Sequence, residues 1–333
     1  MKRTSIKNIA EKLGISNATV SLVLSGKEKE GRVSKELSEK IRHTAKELNY
    51  QPNGIARSLR MGRSQTIGLI VADISNLFFG SLAFCIQEEL EKHGYTVIIA
   101  NTNENVDKMG NMINTLINRQ VDGFIIIPTE NSERHIQELV NNHVPLVLID
   151  RYFPFIRTNY VVTDNYRASL EATKLMIGKG CTKIALLTYK NNLPHILERN
   201  SGYQDALTYA GLKEHTCIKE IRYSNIKEDV KNAIDELFCA GSDVDGILFT
   251  TNSISMLGIK NLMRKGIDIP NSVKVVCFDK SDAFDLMSIP IPYILQPIEE
   301  MGKHSVKILI KQIEEECQDI EELKLPAELH NIL

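Results

Sequence analysis

Residues 6–25 read IKNIAEKLGISNATVSLVLS, and this stretch predicts two short helices joined by a tight turn. Three apolar residues recur at helical spacing and predict the buried face of the first helix: Ile6, Ile9 and Leu13. Gly14 follows the last of them, where a glycine accepts the left-handed backbone of a turn. Ser16 is a suitable N-cap for the second helix. The pattern is typical of a helix-turn-helix, and a plain helical hairpin would share only part of it.

The second helix has an apolar inner face, which leaves other side chains facing outward. The inner face consists of Val20, Val23 and Leu24. A recognition helix of this kind enters the major groove by its N-terminal end. Asn17 can bond a base edge, commonly that of adenine, while Ala18 and Leu22 offer apolar contact, as to a thymine methyl group. Three short hydroxyls suit phosphate oxygens, which fix the register: Ser16, Thr19 and Ser21.

Charge separates the first part of the chain from the rest. Residues 1–63 contain 14 Lys and Arg and six Asp and Glu, a formal charge of +8, and the remaining 270 residues carry −10. A basic small domain on an acidic large one indicates a polyanion-binding head. A third helix is predicted after Ser34, with one apolar stripe that would complete the core: Leu37, Ile41, Ala45 and Leu48. We therefore expect residues 1–50 to form an all-α DNA-binding domain.

Beyond residue 63, short apolar runs alternate with helical stretches, which predicts parallel, doubly wound sheets. The predicted strands are 67–72, 96–101, 123–127, 146–150, 160–163, 184–188, 218–222, 246–250, 273–278 and 293–296. Ligands of such sheets bind beyond the carboxyl ends of the strands. Polar residues stand at those ends: Asp73, Asp150, Arg151, Asp164, Asn252 and Asp279. Each alone could be a helix cap or a solvated loop residue, but the set predicts a binding site.

Residues 49–60 read NYQPNGIARSLR and join the two parts. Residues 53–59 give about two helical turns, too few for a helix that is stable alone in water. With a helix-turn-helix before it and an α/β body after it, the chain strongly resembles the lactose-repressor (LacI-type) transcription regulators over nearly its whole length. The resemblance implies that residues 51–63 are a hinge helix and linker that folds when two subunits lie side by side on DNA. The residues it implies for DNA contact there are Leu59, the wedge that enters the minor groove and kinks the duplex, Ala56, which packs beside it, and Asn53.

The resemblance also implies a periplasmic-binding-protein-like body of two doubly wound lobes with a ligand cleft between them. The implied boundaries are 64–333 for the body, about 64–162 plus 297–317 for the N-lobe, about 163–294 plus 318–333 for the C-lobe, and crossings near 161–165 and 294–297. Arg199, in the R-N-S-G-Y segment 199–203, matches the arginine that reaches the effector in this family. Other cleft residues are Asn252 and Asp279 by the same match, with Phe78, Phe79, Asp150 and Arg151 as further lining candidates. A guanidinium that faces carboxylates and an amide suits polyhydroxyl or carboxylate ligands.

Three departures from the family pattern affect these expectations. Ser253 stands where the family commonly has an aspartate, so one cleft acid is missing. Leu22 replaces a polar or basic side chain, which weakens any inference about the operator sequence. The C-terminal LPAELHNIL leaves no room for an extra tetramerising helix, and we therefore expect a homodimer.

Other function classes find little support in the sequence. No apolar run reaches the ~18 residues of a membrane span, and no secretory signal begins the chain. The six cysteines are scattered, which fits reduced thiols. We therefore expect a cytoplasmic protein. There is no dinucleotide-binding, phosphate-loop or nucleophile-elbow motif, and the histidines lack metal-ligand spacing. We therefore expect neither an enzyme nor a metal or other cofactor. His195 could line the cleft near Arg199, although a lone histidine is more often structural.

The sequence thus predicts a dimeric, sequence-specific DNA-binding regulator, a repressor of carbohydrate-use genes that reads an inverted repeat and responds to a small ligand such as a sugar. A cytosolic sugar-binding or sugar-processing enzyme is the second hypothesis, but it leaves the basic head unexplained. A receptor for a transported solute is the third and would need an export signal. Whether the ligand releases DNA or promotes its binding stays open.

Overall fold

The computed structural model describes residues 4–51, 62–287, 289–315 and 319–331. The chain forms two compact units, residues 1–64 and residues 65–333. No helix within the described residues is long and apolar enough to cross a membrane.

The first unit contains three helices: α1 (Ile6–Leu13), α2 (Asn17–Leu24) and α3 (Lys35–Glu47). The turn between α1 and α2 is made by Gly14, whose φ is 65°. Ser16 and Ser34 cap α2 and α3, because their side chains accept hydrogen bonds from backbone N–H groups three residues later. The buried core of this unit consists of Ile9, Ala10, Val20, Val23, Ile41 and Ala45. The predicted helix-turn-helix and its third helix are confirmed.

The first lobe of the second unit is a parallel six-stranded sheet with the order β11-β5-β4-β3-β1-β2. Its strands are β1 (Thr66–Val71), β2 (Thr96–Asn101), β3 (Gly123–Ile126), β4 (Leu146–Ile149), β5 (Asn159–Thr163) and β11 (Glu322–Leu325). The helices of this lobe are α4 (Leu77–Lys92), α5 (Val106–Asn118), α6 (Glu133–Asn141) and α12 (Ile298–Glu315). Two apolar clusters on the sheet are almost fully buried, and the central strands β1, β3 and β4 are continuous apolar runs.

The second lobe is a six-stranded sheet of the same pattern, with the order β12-β10-β9-β8-β6-β7. Its strands are β6 (Ile184–Tyr189), β7 (Cys217–Ile221), β8 (Gly246–Phe249), β9 (Lys274–Phe278), β10 (Tyr293–Leu295) and β12 (Glu328–His330). Its helices are α7 (Asn165–Gly178), α8 (Pro194–Tyr209), α9 (Ile226–Leu237), α10 (Asn252–Arg264) and the short α11 (Asp282–Asp285). Only β12 runs antiparallel among these described strands.

The described chain passes between the lobes at three points: after β5, after β10 and between β11 and β12. The expectation that residues 318–333 belong wholly to the C-lobe was wrong, because β11 pairs with β5 of the first sheet. Only β12 lies in the second sheet. Both strands are short and lie at sheet edges, and their residues are exposed or half-buried, so they lack the apolar run that marks the central strands.

Candidate functional site

The first candidate site is the N-terminal end of α2. Ser16, Asn17 and Ala18 are exposed there, while Val20 and Val23 are buried against the other two helices. The Ser16 hydroxyl accepts a hydrogen bond from the Thr19 backbone N–H (3.1 Å) and lies 2.9 Å from the Thr19 hydroxyl. The cap thus fixes the end of the helix that a major groove would meet.

The remaining predicted DNA contacts have mixed positions. Thr19 and Ser21 are half-buried. Leu22 is half-buried as well, and its Cδ1 would lie 2.5 Å from a Cβ built on Gly31, so this side chain packs against the loop that follows α2. Asn53, Ala56 and Leu59 lie outside the described residues.

The second candidate site is a cleft between the two lobes of the second unit, at the carboxyl ends of their strands. It contains about 460 Å³ of space between protein atoms, part of it open to solvent. It is lined by Asp73, Asn76, Phe78, Phe79, Glu104, Asp150, Arg151, Tyr189, His195, Arg199, Tyr223, Thr251, Asp279 and Gln296. Six of the seven predicted ligand residues line it. Asn252 does not, because its side chain bonds the Lys280 carbonyl oxygen at 3.5 Å from the first turn of α10.

Arg199 reaches the cleft from α8 and is 2% exposed. Its Nε donates to Asn165 Oδ1 (2.8 Å), its Nη1 donates to the Thr250 carbonyl oxygen, and its Nη2 lies 3.5 Å from Gln296 Oε1. The guanidinium carbon lies 3.9 Å from the centre of the Phe278 ring. The side chain is therefore held in one orientation before any ligand arrives.

The local sequence explains how α8 holds Arg199 there. Gly202, one turn further along, lets α8 approach α7, since a Cβ at this position would lie 2.9 Å from the Leu170 backbone nitrogen. Tyr203 is fully buried, donates from its hydroxyl to the Ile184 carbonyl oxygen (2.6 Å) and accepts from the Cys217 N–H (3.0 Å). The R-N-S-G-Y segment thus combines one cleft residue with two that dock its helix.

Arg151 is held differently, by a carboxylate that the sequence analysis did not select. Its Nη1 and Nη2 donate to the two carboxylate oxygens of Glu104 at 2.8 and 2.7 Å, in a bidentate pair. Its Nε lies 3.4 Å from Asp150 Oδ2 and has no hydrogen-bond partner within the described part of the chain. This buried N–H is a donor that a ligand could use.

Asp150 and Asp279 occupy equivalent positions in the two lobes, directly after β4 and β9. Both have left-handed backbones, with φ of 66° and 69°, and both are buried. Burial raises the pKa of Asp150 to about 6, against the opposing charges of Arg151 and Arg199. Burial also raises the pKa of Asp279, which accepts a hydrogen bond from Gln296 Nε2 at 2.7 Å.

His195 lines the cleft together with the two arginines and is 5% exposed. Burial, together with the charges of Arg151 and Arg199, lowers the pKa of His195 well below its ordinary value, so the ring is neutral. Its Nδ1 is buried with no hydrogen-bond partner among the residues that the structure describes. A neutral imidazole of this kind can accept or donate one hydrogen bond to a ligand.

Side chains join the two lobes across the cleft. The Tyr223 hydroxyl donates to Asp73 Oδ2 (2.8 Å), and burial and this hydrogen bond raise the pKa of Tyr223, which keeps the donor protonated. Asn76 Nδ2 donates to Ser253 Oγ at 3.4 Å, so Ser253 makes a second contact between the lobes. The structure therefore has the lobes closed on each other.

Sequence reasoning missed several cleft residues, and only some of them carried a signal. Glu104 follows β2 by three residues, and a strand-end search with a wider window would include it. Tyr189 ends β6 and Gln296 follows β10, so both satisfy the strand-end rule. Tyr223 lies in a short 3₁₀ turn, and no pattern places that turn at the cleft. In the described residues no group of three or more His, Cys, Asp or Glu is arranged to hold a metal ion.

Comparison with known proteins gives matches over both units. Residues 5–53 match the model of bacterial regulatory proteins of the lacI family, and residues 64–332 match the periplasmic binding proteins and sugar-binding domain of the LacI family. A ribose operon repressor of Halalkalibacterium halodurans is 30% identical over 98% of this chain and 95% of its own. The crystal structure of a putative ribose operon repressor from Burkholderia thailandensis covers 80% of this chain and 99% of its own with a TM-score of 0.72 and 26% identity. The crystal structure of the lac repressor dimer bound to operator and the anti-inducer ONPF aligns with 99% of this chain and 98% of its own chain. Its TM-score of 0.86 at 20% identity shows that the fold is shared.

Proposed function

Because the chain belongs to the LacI family of bacterial regulatory proteins, we propose that it is a sequence-specific DNA-binding transcriptional regulator, a repressor of carbohydrate-use genes, controlled by a small ligand in the cleft between its lobes. The observation that carries this proposal is the pairing, in one chain, of an exposed recognition-helix end with a cleft of buried, pre-oriented charged groups. A role in binding bacterial operator DNA also agrees with the cytoplasmic location that the sequence predicts.

DNA recognition would use two copies of the chain. Two heads read the halves of an inverted repeat, and the exposed ends of their α2 helices meet successive major grooves. Asn17 reads a base edge and Ala18 contacts a thymine methyl group. Ser16 and Thr19 are engaged in the cap, so their role is to fix that helix end near the phosphates. Leu59 and Ala56 of paired hinges kink the centre of the operator, with Asn53 nearby.

The chemistry of the cleft supports a neutral polyhydroxyl ligand. The described lining contains four carboxylates and two guanidiniums, and this excess of negative charge disfavours an anion such as a sugar phosphate. The Arg151 Nε donor, the His195 Nδ1 and the carboxylates of Asp150 and Asp279 together offer directional bonds to hydroxyl groups. Phe78 and Phe79 supply the apolar surface that the face of a sugar ring needs. Two of the similar proteins are described as ribose operon repressors, which supports the same class.

Ligand control would act through the closure of the lobes. A ligand that contacts both lobes favours the arrangement in which both sets of contacts are made, and it shifts the spacing of the paired hinges. Coupling of this kind is typically about 1–3 kcal/mol, which changes operator affinity by about 5- to 150-fold.

The test is a selection from random duplex DNA with the full-length protein at a fixed, stated salt concentration. We expect an inverted repeat with a symmetric central step. Asn17→Ala is expected to relax the selected sequence at one position in each half-site, while Asn271→Ala, an exposed asparagine of the second unit, leaves it unchanged. Failure to enrich any repeat, with and without a pool of neutral sugars, would contradict the regulator. Turnover of a sugar by the same preparation would instead support the enzyme hypothesis.

A further inference from the structure

A second cavity lies beside the cleft and has no role in the function proposed above. We call it the outer groove: it lies between the start of α6, the loop 152–156 and the start of α8 at 192–198. It contains about 1550 Å³ between protein atoms, part of it open to solvent, against about 460 Å³ for the cleft. One wall belongs to each lobe.

The outer groove adjoins the cleft. At three places consecutive residues line the two cavities in turn: Arg151 and Tyr152, Pro194 and His195, and Glu198 and Arg199. The outer groove therefore lies next to the part of the cleft that contains Arg151, His195 and Arg199. The groove adds volume beyond that of the cleft.

An exposed aromatic side chain lines the groove from a well-fixed segment of backbone. Phe155 is 99% exposed, yet its neighbours Phe153 and Ile156 are buried in the first lobe, and the Ile156 N–H donates to the Phe153 carbonyl oxygen at 3.0 Å. Proline precedes Phe155 and restricts the loop further. Leu197, 46% exposed, stands on the opposite wall. The backbone of Phe155 is thus fixed, and its ring is exposed to an occupant of the groove.

The polar groups of the groove fit hydroxyls. Glu198 Oε1 accepts from the Tyr152 hydroxyl (3.1 Å) and from Lys324 Nζ (2.6 Å), whereas its Oε2 is buried and has no hydrogen-bond partner within the described residues. Glu130 Oε1 accepts from the Asn192 N–H at 2.9 Å and fixes the start of α8 to the first lobe. Carboxylates around an exposed aromatic ring suit a neutral ring with hydroxyl edges and an apolar face.

We propose that the outer groove binds the second sugar ring of a neutral oligosaccharide whose first ring lies in the cleft, with Phe155 against the apolar face of that ring and Glu198 as the acceptor of a hydroxyl. The proposal rests on the sugar-responsive function stated above and names the length of its ligand. A monosaccharide occupies the cleft only and binds more weakly.

The test is calorimetric titration of the full-length protein with glucose, galactose, xylose and fructose and with disaccharides built from them: cellobiose, maltose, lactose, xylobiose and sucrose. We expect one disaccharide to bind at least tenfold more tightly than its component monosaccharides. Phe155→Ala is expected to weaken that disaccharide about tenfold and leave the monosaccharide within twofold, as the loss of one aromatic contact implies. The control is Tyr209→Ala, an aromatic residue that is 72% exposed at the far end of α8.

Three results would overturn the proposal: a monosaccharide that binds as tightly as every disaccharide, an equal effect of Phe155→Ala on both, or no effect on either. If no sugar of the panel binds while the DNA selection yields an operator, the regulator stands and the groove proposal falls. Dimers that dissociate on Phe155→Ala would assign the groove to a second copy of the chain instead.

Discussion

Replacing Gly202 by alanine tests whether the close approach of α7 and α8 positions the cleft. A Cβ at this position would lie 2.9 Å from the Leu170 backbone nitrogen and closer still to the Tyr166 carbonyl oxygen. Both neighbours are backbone atoms and cannot rotate away, so the helices must separate. Overpacking costs about 1–3 kcal/mol, and backbone neighbours favour the upper part of that range. Replacement of a glycine by alanine inside a helix stabilises the helix by about 1 kcal/mol, which offsets part of this cost.

The expected net loss for Gly202→Ala is therefore about 2 kcal/mol, which lowers the Tm of the second unit by about 4–8 °C. Circular dichroism during thermal unfolding of the full-length protein measures it. The matched control is Gly178→Ala, at the last residue of α7, where a Cβ meets no heavy atom within 4 Å. We expect the Tm of this control variant to equal or slightly exceed that of the wild type. A Tm for Gly202→Ala at or above that of the wild type would refute this account of the helix contact.

Four further outcomes are expected. Arg199→Ala abolishes the ligand response of operator binding but not operator binding itself, and a ligand response retained in an operator-binding titration would contradict the role of Arg199. The same change destabilises the second unit by about 3–5 kcal/mol, because buried carboxylates lose their counter-charge. Tyr223→Phe removes a hydrogen bond between the lobes; because the Tyr223 side chain is 37% exposed, the net contribution of this bond is at the low end of the usual range, about 0.5 kcal/mol, and calorimetry is expected to show the ligand affinity falling about twofold. The pKa of Asp150 in the folded state, about 6, exceeds its ordinary value of 3.8, so the folded state holds a proton that the unfolded chain releases, and the stability of the wild type declines as pH rises between these values. Denaturant titrations are therefore expected to show the unfolding free energy of Asp150→Asn rising relative to that of the wild type by up to about 3 kcal/mol between pH 4 and pH 7. A difference that stays constant over this range would argue against the raised pKa. Leu59→Ala weakens specific binding far more than non-specific binding in a gel-shift titration with operator and random duplexes, and equal losses would remove the wedge role.

The parts of the fold that follow from the sequence are those with strong local signals. Gly14, Ser16 and Ser34 each satisfy a requirement of the backbone at their own position, so the ends of the first three helices were predictable. The buried strands were predictable for the same reason, because burial on both faces requires continuous apolar runs. β11 and β12 have neither signal, and their places depend on which sheet edge is free.

The candidate site was predictable where it depends on strand ends and less so where it depends on partners. Asp150 and Asp279 follow their strands directly and both line the cleft. Asn252 also follows a strand, yet it is the first residue of α10 and its amide is used locally. The pairing of Arg151 with Glu104 joins residues 47 positions apart, and no pattern in the sequence specifies it. Contacts such as Tyr223 with Asp73 depend on how far the lobes close.

The three passages of the chain between the lobes also determine when each lobe can be completed during synthesis. β11 and β12, separated by only two residues, each supply an edge strand, one to each sheet. A ribosome that has made residues 1–318 has therefore produced two sheets that both lack their last strand, with β5 and β10 unpaired on one side. A single stop codon before β11 would leave two open sheet edges at once, and such edges recruit other strands. We expect that truncation to give aggregated protein rather than a body with one intact lobe.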